Sequence, residues 1–178
     1  MRYPKVGFYH SYQLVGTSVS VGAGLAWAMR YFLGNNSIVA VFHGDAATSN
    51  GQWHEGLTLA VVQRVPLLLI CENNHLAGNV RDSVYLPPIS IVERAKGYGI
   101  EGVTVDGNHV DEVYNAVKMA SYIVRQRSTP YLVVCDTTRI SKHKQGQGDI
   151  RSSEEKAELA KRDPLLYMEK KLCLDAET

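Results

Sequence analysis

Residues 44–74 decide the fold, because two polar clusters there follow two apolar runs. The first cluster reads G-D-A-A-T-S-N at residues 44–50, and the second ends the run L-L-L-I-C-E-N-N at residues 67–74. Residues 38–42 are also apolar, and a helical pattern separates the two runs. Short apolar runs on either side of a helical pattern predict a β-α-β unit. Both polar clusters then lie at the carboxyl ends of neighbouring parallel strands.

The two clusters supply oxygen atoms of the kind that Mg²⁺ prefers. Asp45 follows the first apolar run, and Asn73 and Asn74 follow the second. Ligands bind to open α/β sheets at this carboxyl edge. Mg²⁺ typically takes one or two protein groups together with substrate phosphates and water. The turn at residues 48–51 opens a helix whose first amides can receive a phosphate. The spacing therefore predicts a magnesium–diphosphate site.

A purely structural interpretation exists for each cluster. Asp45 and Asn50 are residue types that cap helices, and Asn73 and Asn74 are typical of a turn that ends a strand. Either cluster alone favours this interpretation. Because the two clusters occur together at matching strand ends, the binding site is the preferred hypothesis.

The rest of the chain repeats the alternation of strand and helix. Residues 75–88, with two prolines and a glycine, are predicted to form a loop. Four strands that alternate with helices predict one α/β domain over residues 1–178, in which a parallel sheet is flanked by helices. The predicted strands are 38–42, 67–71, 102–105 and 131–135, and the predicted helices are 18–33, 53–64, 89–98, 111–125 and 153–172.

Composition excludes several classes of protein. A net charge of +1 on 178 residues gives no reason to expect nucleic-acid or membrane binding. No apolar run approaches the length of a membrane span, and no signal peptide is visible. Cys71, Cys135 and Cys173 lack the spacing of a metal site, and the first two are predicted to be buried in the core. A reducing cytoplasm is the expected location.

The pair of clusters resembles the thiamine diphosphate motif, in which G-D-G is followed at a distance by N-N. The surrounding G-Q-W-H-E-G-L-T-L-A and V-P-L-L-L-I-C-E-N-N are similar to the alpha subunit of the first component of 2-oxo acid dehydrogenase complexes. The resemblance continues through G-Y-G-I at residues 97–100, T-T-R-I-S-K-H at residues 137–143 and K-R-D-P at residues 161–164. It covers nearly the whole chain and implies a thiamine diphosphate-binding fold.

The resemblance assigns roles to residues of both clusters. It implies that Mg²⁺ is bound by Asp45, Asn74 and the backbone carbonyl of Leu76. Ala46 stands where the motif has glycine, and its methyl group is expected to be tolerated. The cofactor-binding residues implied by the resemblance are Val15, Gly44, Asp45, Ala46, Ala47, Asn74 and His143.

Residues 139–151 read R-I-S-K-H-K-Q-G-Q-G-D-I-R and have no apolar periodicity. Composition alone favours a flexible, solvated linker. The spacing of Arg139 and His143 resembles the active-site loop of the family, in which the histidine lies at the cofactor and the arginine braces the loop. Both are therefore candidate catalytic residues. Lys144 replaces the serine that animal members phosphorylate, so that regulation should be absent.

The resemblance also implies a mechanism and partners. Thiamine diphosphate would cleave a 2-oxo acid, and the acyl unit would pass to a lipoyl domain or an acyl carrier protein. The glutamate that activates the cofactor belongs to the beta subunit in this family, and no candidate for it is found here. The chain should therefore be inactive alone and assemble with a beta-type subunit, in an α₂β₂ pattern.

Two other functions stay open. Lys142 and Lys144 add positive charge beside His143, which favours a transketolase-like transfer of a two-carbon ketol unit from a ketose phosphate. A non-catalytic binding subunit is the second alternative. Members of the family have a further N-terminal segment, so the resemblance implies a split gene or a truncated form.

Overall fold

The computed structural model of the chain describes residues 5, 7–9, 11, 13–34 and 36–176. The chain contains a π-helical turn at Met29–Leu33 and a 3-10 turn at Asp45–Ser49. The strands are β1 Val39–Gly44, β2 Leu67–Asn73, β3 Leu76–Ala77, β4 Val80–Arg81, β5 Glu101–Asp106 and β6 Tyr131–Asp136. The helices are α1 Thr17–Ala28, α2 Gly51–Val62, α3 Asp82–Tyr85, α4 Ile91–Lys96, α5 Val110–Arg127, α6 Ser153–Ala160 and α7 Pro164–Ala176.

The four longer strands form one parallel sheet in the order β1-β2-β6-β5. Gly44 pairs in register with Glu72, and Asn73 pairs with Asp136. The residues that follow β1, β2 and β6 therefore meet at one edge of the sheet. The predicted parallel α/β sheet is confirmed, and so is the common edge for the two polar clusters.

Helices cover both faces of the sheet. On one face α1, α2 and α4 bury an apolar cluster around Trp53, Leu57 and Leu69. On the other face α5 packs Ala116, Ala120 and Val124 against β2 and β6. These two strands are buried on both faces, which explains their continuous apolar sequences. Helices α1 and α2 approach closely at Gly56, where a Cβ would lie 2.7 Å from the backbone nitrogen of Ser20.

Two of the three cysteines lie in these clusters. Cys71 and Cys135 are buried, and burial raises the pKa of both thiols. Their predicted role as small core residues is therefore confirmed. Cys173 is exposed on α7.

The prediction of an open loop over residues 75–88 is wrong. The segment contains the antiparallel hairpin β3–β4 and the short helix α3. Gly78 adopts a φ of +61°, which permits a two-residue turn between the hairpin strands. Each hairpin strand has two residues, too few for a hydrophobic period to be visible in the sequence.

The predicted helical segment 153–172 forms the last two helices, α6 and α7. Ser152 caps α6 by accepting a hydrogen bond from the amide of Glu155, and α7 begins at Pro164. Helix α7 packs on α5 through a stacked pair of His109 and Tyr167, whose ring centroids are 3.9 Å apart. No helix in the described part of the chain is both long and apolar enough to cross a bilayer.

Candidate cofactor and metal site

Asp45 provides a buried carboxylate at the common edge of the sheet. It begins the 3-10 turn after β1 and is only 2% exposed. Its Oδ2 atom accepts a hydrogen bond from the hydroxyl of Tyr85. Among the described residues, no basic side chain forms an ion pair with Asp45. A buried carboxylate without an ion pair is unfavourable, so this position suits a cation.

Thr48 and Arg94 fix the shape of the turn that carries Asp45. The hydroxyl of buried Thr48 donates to the carbonyl oxygen of Asp45 at 2.7 Å. Arg94 of α4 donates to the hydroxyl and to the carbonyl oxygen of Thr48, at 2.9 and 2.5 Å. The guanidinium also lies 5.3 Å from the ring centroid of Trp53. Hydrogen bonds from α4 thus hold the turn that carries Asp45, and Trp53 of α2 packs against the guanidinium that makes them.

Asn73 and Asn74 occupy different positions at the end of β2. Asn73 belongs to the strand and donates to Asp136 at 3.3 Å, while its Oδ1 atom is buried without a described partner. Asn74 follows the strand, and its Oδ1 atom accepts from the amide of Leu76 at 3.0 Å. The strand-ending turn of the alternative interpretation is therefore present. An amide oxygen has two lone pairs, so Asn74 retains capacity for a cation.

The other residues implied by the family resemblance lie in and around the two turns. Gly44 ends β1, while Ala46 and Ala47 lie in the 3-10 turn. Ala46 does not adopt a positive φ, so the backbone there accommodates alanine without strain. Val15 is exposed in the turn before α1.

Asn50 behaves as the structural interpretation predicts. Its Oδ1 atom accepts from the amide of Gln52 at 2.9 Å and caps α2. The first-turn amide of Gln52 is therefore occupied by this cap, and the binding of a phosphate by the first amides of α2 stays a prediction. Asp45 does not cap α2. Gly16, at the start of α1, lies beside Asn50, where a Cβ would be 3.0 Å from the Asn50 Cβ.

The segment 139–151 reaches the hairpin that follows Asn74. Arg139 donates to the carbonyl oxygen of Gly78 at 2.7 Å. A Cβ on Gly78 would lie 3.9 Å from Cδ2 of His143. Asn79 donates to the carbonyl oxygen of Gly148 at 2.7 Å. The structure therefore brings Arg139 and His143 together at the tip of the β3–β4 hairpin.

The pKa of Arg139 is lowered by its surroundings. Burial, followed by the charge of Arg151, lowers its pKa, while the charges of Asp149 and Asp45 oppose that shift. Its Nε atom is buried without a described partner. Arg139 is thus a cation held close enough to Asp45 to contribute to the electrostatics of the site.

Arg151 fixes the base of the same segment. It is almost fully buried and pairs with Asp149, with an Nη2–Oδ2 distance of 2.8 Å. It also donates to the carbonyl oxygens of Arg139 and Ser141. The flexibility predicted for residues 139–151 stays a prediction, but both ends of the segment have defined anchors. His143 is exposed between them.

Three residues near the site were not predicted from the sequence. His43 is buried in β1, and burial lowers its pKa to about 4, so it is neutral near pH 7. The ring of His75 spans Asp82 and Asp136, with N–O distances of 2.6 and 2.5 Å. Tyr85 reaches Asp45. Only His43 has a sequence signal, since it alternates with buried Val39 and Val41.

The donor set restricts the kind of metal that fits. No group of three His, Cys, Asp or Glu side chains in the described part of the chain is arranged to hold a metal. The donors that the family resemblance implies are the carboxylate of Asp45, the side-chain amide of Asn74 and the backbone carbonyl of Leu76. This set suits Mg²⁺ that completes its shell with phosphate oxygens and water, rather than an ion that needs an all-protein cage.

The parallel sheet and its carboxyl edge define a protein of the α/β thiamine diphosphate-binding fold. A solved structure described as a candidate thiamin diphosphate-dependent enzyme from Mycobacterium smegmatis superposes with a TM-score of 0.58 at 22% identity. That match covers 74% of this chain and 24% of the other. Benzoylformate decarboxylase from Polynucleobacter necessarius gives a TM-score of 0.54 at 20% identity, covering 70% and 24% of the two chains.

The chain belongs to the dehydrogenase E1 component family, whose sequence profile matches residues 1–175. It is 33% identical to the pyruvate dehydrogenase E1 component subunit alpha of Rickettsia felis, over 92% of this chain and 50% of that protein. It is 37% identical to the 2-oxoisovalerate dehydrogenase subunit alpha of Bacillus subtilis, over 85% and 46%. The chain therefore spans about half the length of these curated relatives.

Proposed function

We propose that the chain is the alpha-type, diphosphate-binding part of a thiamine diphosphate-dependent 2-oxo acid dehydrogenase. The observation that carries the proposal is the buried carboxylate of Asp45, which has no ion pair among the described residues. It lies at the sheet edge beside the turn of Asn74, where a segment bearing His143 also arrives. The family membership of the chain supports the same reading.

Three oxygen donors of this edge would hold Mg²⁺. They are the side chains of Asp45 and Asn74 and the backbone carbonyl of Leu76. The diphosphate would lie along the turn of Gly44, Ala46 and Ala47, with Val15 toward the aminopyrimidine end. The buried, unpartnered Oδ1 atom of Asn73 is a further polar group at the edge that a bound molecule or water can satisfy.

When bound, thiamine diphosphate supplies the nucleophilic carbon and the electron sink for cleavage of the 2-oxo acid. The chain's own residues would position the cofactor and the substrate and transfer protons to them. His143 is exposed at the hairpin tip and carries ring nitrogens that can give or take a proton. Arg139 holds the His143 segment against Gly78 and adds a positive charge. Anionic substrate groups are favoured beside such a charge.

We further propose a beta-type partner that supplies the activating glutamate, in an α₂β₂ assembly. Large aromatic residues are exposed on α5 and at the end of α1, and such surfaces are typical of interfaces. The most exposed of them are Phe32, Tyr114 and Tyr122. The acyl acceptor would be a lipoyl domain or an acyl carrier protein, and the compartment would be the cytoplasm.

A second candidate function is transketolase-like transfer from a ketose phosphate to a carrier. Lys142 and Lys144 are both exposed on either side of His143. Two cations there would attract a phosphorylated donor. A binding subunit without turnover is the third possibility, and the same experiments separate it from the other two.

The test is co-expression with the beta-type partner, followed by calorimetry with thiamine diphosphate in the presence and absence of Mg²⁺. We expect Mg²⁺-dependent binding to the assembled complex and a sedimentation coefficient above that of the chain alone. Pyruvate, branched-chain 2-oxo acids and ketose phosphates are then compared as donors. Binding without turnover of any donor would favour the binding subunit. A lone chain that binds the cofactor tightly and turns over unaided would contradict the proposed assembly.

A further inference from the structure

The hydroxyl of Tyr85 approaches the site from a short helix that the family motif does not include. It donates to Oδ2 of Asp45. A phenol hydroxyl has one proton to donate, and here that proton points to the Asp45 carboxylate. No other described residue donates a hydrogen bond to the Asp45 carboxylate.

Helix α3 is fastened at both of its ends. At its start, Asp82 accepts from the ring of His75, which also bonds Asp136 at the end of β6. At its end, the carbonyl oxygen of Tyr85 accepts from the hydroxyl of Ser49 at 2.6 Å. Ser49 belongs to the same 3-10 turn as Asp45. Both the backbone and the side chain of Tyr85 are thus attached to the turn that carries the carboxylate.

We propose that Tyr85 is a positioning residue for the cation site, which orients the Asp45 carboxylate by holding Oδ2 and leaving Oδ1 for the cation. This inference rests on the proposed function, since it takes Mg²⁺ as the ligand of Asp45. A carboxylate on a short side chain can rotate about its last bond. A fixed donor on one oxygen removes that freedom before the cation arrives, so less entropy is lost on binding.

Partners of metal ligands in general affect affinity in this way. Changing a residue that hydrogen-bonds a ligating side chain typically lowers metal affinity about 10–100-fold. The hydroxyl of Tyr85 makes no other hydrogen bond to the described residues, whereas the rest of α3 is held by Ser49 and His75. Removal of the hydroxyl alone should therefore weaken the cation site and leave the fold in place.

The experiment compares Tyr85→Phe with Tyr98→Phe in the assembled complex. Tyr98 is a matched control because its hydroxyl bonds the ring of His54 at 2.6 Å and does not contact Asp45. The Mg²⁺ concentration that half-saturates thiamine diphosphate binding is measured by calorimetry, together with the unfolding temperature in the absence of both ligands. We expect Tyr85→Phe to raise the midpoint about tenfold or more, and Tyr98→Phe to leave it unchanged.

An unchanged or lowered midpoint in Tyr85→Phe would overturn the inference, and so would an equal rise in Tyr98→Phe. If Tyr85→Phe does not assemble, Ser49→Ala takes its place, because it loosens α3 while keeping the hydroxyl. Ser49→Ala must then raise the Mg²⁺ midpoint, by less than the tenfold expected for Tyr85→Phe. An unchanged midpoint would count against the positioning role of Tyr85. Failure of the wild-type complex to bind thiamine diphosphate would instead contradict the proposed function, so the two failures are distinguishable.

Discussion

The guanidinium of Arg139 donates a hydrogen bond of 2.7 Å to the carbonyl oxygen of Gly78, 61 residues earlier in the chain. This contact joins the segment after β6 to the hairpin after β2. The bidentate pair of Arg81 and Glu155, at 2.9 and 2.8 Å, joins the same hairpin to the start of α6. The hairpin is therefore the support against which the His143 segment is held.

Replacement of Asp45 by alanine is expected to abolish Mg²⁺-dependent binding of thiamine diphosphate while the fold survives. The buried charge has no ion pair among the described residues, so its removal relieves a desolvation cost. This gain offsets the lost hydrogen bond, and we expect stability to change by about 1 kcal/mol or less. Calorimetry and urea unfolding of the assembled complex measure the two effects.

Asp45→Asn is the matched control for this prediction. It keeps an oxygen that can accept from Tyr85 but carries no charge, so cofactor affinity should fall less than in Asp45→Ala. If Asp45→Ala binds thiamine diphosphate with wild-type affinity, Asp45 is not part of the binding site.

Replacement of His143 by alanine is expected to lower kcat about 10²–10⁴-fold, the usual contribution of a general acid or base. Cofactor affinity should fall far less than kcat, because His143 is exposed and is not one of the proposed magnesium ligands. Steady-state rates and calorimetry separate the two quantities. Gln145→Ala, an exposed change two residues along the same segment, should leave both unchanged. If His143→Ala and Gln145→Ala have the same kcat, residues 139–151 act as a linker and His143 has no catalytic role.

Replacement of Glu155 by glutamine is expected to loosen residues 139–151 without destabilising the domain. The pair with Arg81 is exposed to solvent, so it contributes little to the global stability of the domain. Its local effect should be larger, because it fastens the hairpin beside that segment. Limited trypsin digestion after Lys142 and Lys144 should therefore become faster.

Glu154→Gln provides the control, since Glu154 occupies the same first turn of α6 but forms no ion pair with Arg81. Digestion at the wild-type rate in Glu155→Gln, or equal acceleration in both variants, would show that the pair does not restrain the segment.

The attachment of α7 to α5 is expected to weaken in acid. Asp111 accepts from Lys171 at 2.7 Å and from Tyr167 at 2.9 Å, and these bonds lower its pKa from 3.8 to about 2. Because the folded-state pKa of Asp111 is depressed, its contribution to the attachment of α7 is fully present above about pH 4. That contribution is lost as the pH falls through about 2.

Hydrogen exchange of the α7 amides, corrected for the intrinsic effect of pH, measures this attachment. Protection should decline in acid in the wild-type chain. In Asp111→Asn, the protection of the α7 amides at neutral pH should be lower than in the wild-type chain, and it should be nearly independent of pH. A wild-type decline that persists unchanged in the variant would assign the effect to another group.

The sequence by itself determined the parallel α/β sheet and the edge at which its polar clusters meet. Apolar periods identify the strands and helices, because burial on one or both faces of an element leaves a regular pattern. Neighbouring parallel strands end at the same edge, so the positions of Asp45 and Asn74 followed from that pattern. The family motif then assigned chemistry to them.

Only the tertiary structure decided which groups support these residues. The hydroxyl of Tyr85 reaches Asp45 across 40 positions, and His75 reaches Asp136 across 61. The hairpin strands that carry Gly78 are too short to show a period. Such contacts depend on the positions that irregular segments adopt relative to the packed sheet and helices. No local spacing encodes that outcome, because a single hydrogen bond between distant residues imposes no repeat on the sequence.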